Sequence, residues 1–239
     1  MSVRVNRFSA KGEALKKASE ALKELLADYK NQPVLLLLSG GSAFSLPEGI
    51  DTNLLGKHIT ISVLDERYST DPKVNNFLQL QSLPFYKKAK QAGCNFILTS
   101  FLADLSLKIA SESFGNELRN WKTKNPEGKT IITQGMGEDG HTSGIMPFPE
   151  DKELFRRLFV GERWVVGYNA EDKNPYPLRV STTITFLKDW VDNSIFYVSG
   201  ESKKKVFQKL LKGDEHINNM PAQVIWEMKD VRVFTDLTR

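Results

Sequence analysis

An acid and a histidine, Asp139 and His141, stand two residues apart in the stretch 129–149, KTIITQGMGEDGHTSGIMPFP. Histidine changes charge nearest neutral pH, so an imidazole held in a loop is suited to taking a proton from water. Glycines lie on both sides of this pair, and no apolar neighbours are at hand to bury the ring. A catalytic His141 is therefore favoured over a loop histidine that is merely hydrogen-bonded. Gly135, Gly137 and Gly140 also spell GxGxxG, the dinucleotide-binding fingerprint. That fingerprint needs a helix opening at its third glycine to receive a pyrophosphate. Here Pro147 and Pro149 follow too closely for one to run on, and the dinucleotide reading is set aside.

Three other short stretches could bind or react. Ser39, Gly40, Gly41 and Ser42 follow an unbroken apolar run, and consecutive amides with two hydroxyls can hold phosphate oxygens; a tight turn would use the same glycines. Asp65, Glu66 and Arg67 follow the apolar run 59–64, where charges are costly unless they face solvent or a polar site. In an open α/β sheet that edge is where ligands bind, and that reading is favoured over an ion-paired surface turn. Lys203, Lys204 and Lys205 resemble a solvated face, but Lys203 stands in the first helical turn after a strand end and can reach back over the sheet edge.

These residues need a scaffold that gathers them. From Lys11 to Lys30, apolar residues recur at threes and fours and predict an amphipathic helix. Val34–Leu38 reads as a strand buried on both faces, Ile59–Leu64 as the next, then Phe96–Leu98 and Thr130–Thr133. A second helix is marked by Leu105, Ile109, Phe114, Leu118 and Trp121. After the glycine loop come a short helix at 154–159, a strand at 164–168, and a proline-stiffened connection, Lys173–Arg179, feeding an apolar run from Val180 to Phe186. A strand at 195–198, a helix from Glu201 to Lys212 and a strand at 231–234 close the chain. Strands alternating with helices predict an α/β domain, with ligands at the strand ends.

Composition bounds the function. The chain has 239 residues, 40% hydrophobic and 26% charged, with a net charge of +4, which suits one globular domain over 1–239. Its lysines are spread over several helices without aromatic interleaving, so nucleic acid is not an expected partner. The longest aliphatic run, Val34–Leu38, is far short of a membrane span, and no apolar leader is seen. A single cysteine, Cys94, excludes a disulfide framework and fits a reducing cytoplasm.

Taken together, SGGS, DER with an asparagine about ten residues on, GEDGHTS, an arginine after a Lys-Pro-rich loop and a G-x-x-K helix start resemble the 6-phosphogluconolactonase family. The likeness runs from about Val34 to Phe234. It implies a modified Rossmann-like fold, a mainly parallel sheet flanked by helices, similar to glucosamine-6-phosphate deaminases and ribose-5-phosphate isomerase. It implies hydrolysis of 6-phospho-D-glucono-1,5-lactone in the oxidative pentose phosphate pathway, with no cofactor and no metal. His141 matches the family's general base, Asp139 the acid before it, and Asp65 and Arg67 the substrate-edge motif. Ser39, Gly40, Gly41 and Ser42 match the phosphate loop, Arg179 and Lys203 the basic side chains that close on the sugar phosphate, and Asn76 a substrate contact. Amides around Gly140 are the expected oxyanion donors. Where the family has Thr-Pro after SGGS, this chain has Ala43 and Phe44; Asn75–Asn76 replaces Ser-Asn, and Ser143–Gly144 replaces Ala-Ser. The related deaminases place a glutamate five residues after the histidine, where this chain has Met146. An aminosugar-phosphate deaminase or isomerase, or a non-catalytic sugar-phosphate binder, is the alternative. A monomer or weak homo-oligomer is expected.

Overall fold

The structure is a computed structural model that describes residues 2–100 and 104–237. Its strands are β1 (Ser2–Arg7), β2 (Val34–Leu38), β3 (Ile59–Val63), β4 (Asp65–Arg67), β5 (Asn95–Phe96), β6 (Lys129–Gln134), β7 (Val165–Asn169), β8 (Leu178–Thr182), β9 (Asn193–Val198) and β10 (Asp230–Thr235). Its helices are α1 (Lys11–Asp28), α2 (Asn76–Ser82), α3 (Pro84–Gln91), α4 (Leu107–Lys124), α5 (Lys152–Phe159), α6 (Ile184–Asp189) and α7 (Lys204–Lys212).

Five consecutive apolar residues leave β2 no face for water, and all five are buried. Strand side chains alternate between faces. Val34, Leu36 and Leu38 therefore enter the core under α1, while Leu35 and Leu37 enter the opposite core with Phe114 of α4 and Phe196 of β9. Each buried leucine contributes about 1.5–3 kcal/mol, so β2 anchors both cores. It lies inside a seven-stranded sheet of order β1-β10-β9-β6-β2-β3-β5, whose pairings are all parallel.

That order places the site. From β2 the chain steps outward to β3 and β5, then β6 returns to the other side of β2. The loops leaving the C-terminal ends of β2 and β6 diverge there, opening the crevice in which parallel sheets bind ligands. One loop is SGGS, the other carries His141.

Several expected elements take other forms. Asp65–Arg67 is a strand of a second, antiparallel sheet, β4-β8-β7, and not a polar tip of the first. Leu64 makes the switch: its N–H donates to Leu38 O (2.9 Å), and its carbonyl accepts from Thr182 N (3.4 Å). The run 180–186 splits into the end of β8 and the start of α6, because the Thr183 side chain caps Phe186 N and starts a helix. The strand read at 96–98 shortens to Asn95–Phe96. β1 was not read from the sequence: it is an edge strand whose arginines mask the inward Val3 and Val5. No helix among the described residues is long and apolar enough to cross a membrane.

Candidate active site

Period-two alternation on β4 sorts the DER motif. Asp65 and Arg67 share one face, opposite Ser181 and Arg179 of β8, while Glu66 points the other way beneath α2. Asp65 is 5% exposed, and its Oδ2 lies 3.7 Å from Arg179 Nη1. Burial raises the Asp65 carboxyl above its ordinary value, and Arg179, Arg67 and His141 offset only part of the rise. Arg67 and Arg179 sit directly opposite each other in the ladder, an arrangement of like charges that needs relief. Tyr176 supplies some of it: its ring lies 5.5 Å from the Arg67 guanidinium, and its carbonyl accepts from Arg179 Nε at 3.2 Å.

His141 is set by its own loop. Gly137 N donates to His141 O (3.0 Å) and Gly140 N to Gly137 O (3.1 Å), closing a turn around Asp139. Asp139 Oδ1 accepts from both His141 Nδ1 (2.6 Å) and His141 N (3.1 Å). Burial pushes the Asp139 carboxyl up, but the hydrogen bonds and charge of His141 outweigh it and leave the group below its ordinary value. With Nδ1–H committed to Asp139, the Nε2 lone pair remains for a proton.

The ring lies directly against Gly137. A Cβ there would fall 2.1 Å from His141 Nδ1 and 2.5 Å from Asp139 Oδ1. Gly137→Ala is therefore expected to displace the imidazole and lower activity about a hundredfold, with the unfolding midpoint in urea little changed. Retention of full activity would show that the contact does not set the ring.

A cleft at the sheet edge is lined by Ser39, Gly40, Gly41, Ser42, Asp65, Arg67, Asn76, Gly135, Met136, Gly137, His141, Ser143, Gly144 and Lys203. A larger groove between α4 and β7, lined by Leu107, Arg119 and Trp164 among others, holds neither histidine nor SGGS. The cleft thus collects SGGS, Asp65, Arg67, Asn76, His141 and Lys203 from five separate stretches, with Asp139 directly behind His141. Lys203 sits in the short 3₁₀ turn ahead of α7; burial lowers its pKa, and Glu138 partly restores it. Ala43 and Phe44 pack inward from a 3₁₀ turn, so SGGS opens no long helix. Two buried polar atoms of the cleft residues, Arg67 Nε and Asn76 Oδ1, have no partner among the described residues. A Cβ on Gly40 would lie 2.6 Å from Asn76 Oδ1, so this glycine admits Asn76 to the wall.

Two of the expected site residues, Arg179 and Gly140, stand outside the cleft lining in this geometry. Arg179 is 3% exposed, turned to Asp65 and Tyr176 O, and is not among the cleft-lining residues, so it braces Asp65 and does not close on the cleft. Gly140 is buried outside the lining, its amide engaged by Gly137 O and its carbonyl accepting from Ala222 N, so it docks the loop onto 220–222 and offers no free donor. Sequence reading gave no site role to Glu66, Tyr176, Ser143 or Gly144. Tyr176 lies within the proline-stiffened connection 173–179, KNPYPLR, and only the pairing of β8 with β4 reveals its role.

The sequence matches the family described as Glucosamine-6-phosphate isomerases/6-phosphogluconolactonase over residues 9–234. It is 27% identical over 206 residues to a probable 6-phosphogluconolactonase of Dictyostelium discoideum, covering 82% of this chain and 81% of that one. It is 26% identical over 226 residues to a 6-phosphogluconolactonase of Helicobacter pylori, covering 91% and 92%. The fold is similar to that of the 6-phosphogluconolactonase of Trypanosoma brucei, with TM-score 0.77 at 18% identity, over 98% of this chain and 96% of that one.

Proposed function

The chain belongs to the glucosamine-6-phosphate isomerase/6-phosphogluconolactonase family, and from its site we infer that it hydrolyses 6-phospho-D-glucono-1,5-lactone to 6-phosphogluconate. The observation that carries this reading is His141 at the cleft with Nδ1 tied to Asp139, together with a methionine, Met146, at the position where a deaminase would need a further proton carrier. Position 146 is a methionine with no exposed surface, packed into the core. Ring opening of an aminosugar would call for an acid–base group there. Lactone hydrolysis needs only a positioned water, one base and donors for the developing oxyanion.

The chemistry follows from the geometry. His141 Nε2 takes a proton from water as its oxygen attacks C1, and the same proton passes to the ring oxygen when the C1–O5 bond breaks. Asp139 holds the imidazole and balances its transient charge. The phosphate rests against Ser39–Ser42 and Lys203, a binding contribution remote from C1 that fixes the lactone over His141. Arg67 Nε and Asn76 Oδ1, buried and unpartnered among the described residues, suit the polar substituents of a sugar. Asp65 faces the same cleft as an acceptor braced by Arg179. The enzyme works as a single domain over 1–239, in the cytoplasm, as a monomer or weak homo-oligomer.

The test is hydrolysis of freshly generated lactone, in EDTA, beside ammonia release from glucosamine 6-phosphate. The expected result is lactone loss well above the spontaneous rate and no ammonia. Ammonia release with no lactone hydrolysis above background would overturn the reading.

A further inference from the structure

We propose that the main-chain N–H groups of Ser143 and Gly144 are the oxyanion donors of this site. The proposal rests on the lactone reading above and moves this role off Gly140.

Residues 142–145 form a tight turn closed by Ile145 N donating to Thr142 O at 2.7 Å. Its two central residues are both left-handed, Ser143 with φ 52° and Gly144 with φ 71°. That is the mirror-image turn, in which the closing bond uses neither central amide. The Thr142 carbonyl points into the turn toward Ile145, so the N–H of the same peptide unit, that of Ser143, points out of it. Neither Ser143 N nor Gly144 N has an acceptor among the described residues, although both residues are buried and both line the cleft. Unengaged N–H groups in such a place are rare. Four nearby amides are engaged: Gly137 N by His141 O, Gly140 N by Gly137 O, His141 N by Asp139, and Met146 N by Tyr168 Oη.

A serine at positive φ is unfavourable unless its surroundings impose it, and such strain concentrates at functional sites. Here a buried chain imposes it. Ser194 Oγ donates to Gln134 Oε1 (2.9 Å), and Gln134 Nε2 donates to Ser143 Oγ (2.9 Å). On the other side the Gly144 carbonyl accepts from Tyr168 Oη and Ser181 Oγ, which draws it into the protein. Gly144 has no room for a side chain: a Cβ would fall 2.5 Å from Ser181 Oγ and 2.6 Å from Asp65 Cβ. The nearby Asp65 carboxyl is offset by Arg179 at 3.7 Å.

Ser143 follows His141 by two residues, so their Cα atoms are within about 7 Å. A lactone whose C1 is attacked by water at His141 thus has its carbonyl oxygen within reach of the turn. As the water oxygen bonds to C1 and its proton passes to His141, the carbonyl π pair moves onto the carbonyl oxygen, where the two N–H groups receive it. The pair returns as C1–O5 breaks and His141 protonates O5.

The decisive experiment replaces the Gly144 amide by an ester, with glycolic acid incorporated at that position by nonsense suppression, so that only the N–H is lost. The expected result is a fall in kcat of about a hundredfold, with KM nearly unchanged because the phosphate is held elsewhere. A second measurement does not depend on the variant's folding: ¹⁵N-labelled wild type is titrated with 6-phosphogluconate, whose C1 carboxylate stands in for the oxyanion. Amide protons of Ser143 and Gly144 are expected to move downfield, and that of Gly140 is not. A folded ester variant with kcat within a few-fold of wild type overturns the donor assignment alone, as does saturation by product without movement of either amide. A wild type that does not hydrolyse the lactone overturns the functional reading and this proposal with it.

Discussion

Replacing His141 with alanine is expected to lower catalysed hydrolysis of the lactone by about a hundredfold or more, because general-base catalysis contributes about that much. The ring is one-third exposed and touches mainly Asp139 and Gly137, so its removal opens no core cavity. Stability should fall only by the share that the Asp139–His141 contact supplies. Asp139→Asn is expected to fall nearly as far for a different reason: an amide can present its NH₂ to Nδ1 and hold the imidazole with its lone pair turned from the cleft. Both variants also lose the pair's pH-dependent share of stability. Asp139 is held below its ordinary value in the folded protein, so the folded state binds fewer protons there than the unfolded state. Its contribution to stability is present above the ordinary carboxylate range and is lost as pH falls through the folded value. Urea unfolding at neutral pH and near pH 3 should therefore show wild type losing an advantage over D139N that H141A lacks at both. Steady-state rates on fresh lactone, corrected for spontaneous hydrolysis, decide the main point: an H141A protein that keeps most of the rate would remove His141 from the chemistry.

How much was legible in the sequence depended on whether the cause was local. Val34–Leu38 could be read as a central strand because burial on both faces forces an unbroken apolar run. The loop at 135–149 could be read because glycines and prolines act on their own backbone. SGGS, DER and GEDGHTS were legible as candidates, and the parallel order of the sheet brings them to one crevice. What failed to show was pairing between distant strands. Nothing near Arg179 announces that β8 lies antiparallel to β4, so its burial against Asp65 could not be seen. Gly140 shares its motif with His141, yet its amide and carbonyl are claimed by Gly137 and Ala222. Likewise Ser143 looked like a variant residue after the histidine, because its positive φ is imposed by Gln134, a neighbour in space nine residues back.

Glu66→Leu is expected to destabilise the protein by about 4 kcal/mol or more, since it strips four buried donors of their acceptor at about 1–3 kcal/mol each. Glu66 is 1% exposed. Its Oε1 accepts from Arg67 N (2.8 Å) and Asn76 N (2.5 Å), and its Oε2 from Phe77 N (3.0 Å) and Thr99 Oγ1 (2.9 Å). Burial, helped by the nearby Asp65, pushes the carboxyl up to about 8 even though the donors from Asn76, Phe77 and Thr99 pull it down. Two of these amides belong to the first turn of α2, where helical N–H groups lack partners of their own, so the carboxyl group also caps that helix. The same helix end carries Asn76, whose Nδ2 donates to Asp65 O at 2.9 Å, so the capping acid is tied to the cleft wall. Glu66→Gln separates the two roles. An amide has one acceptor oxygen, so about half the donors keep a partner and the loss of stability should be roughly half that of E66L. The remaining N–H groups then meet an NH₂, which pushes Asn76 and Arg67 out of place and raises KM for the lactone more than it lowers kcat. Thr99→Val, which removes one donor and leaves the acceptor in use, should cost only about 1 kcal/mol. Urea unfolding and steady-state kinetics on the three variants check the order. If E66L unfolded at the wild-type midpoint, the network would not hold α2, and the burial of an acid within the DER motif would need another cause.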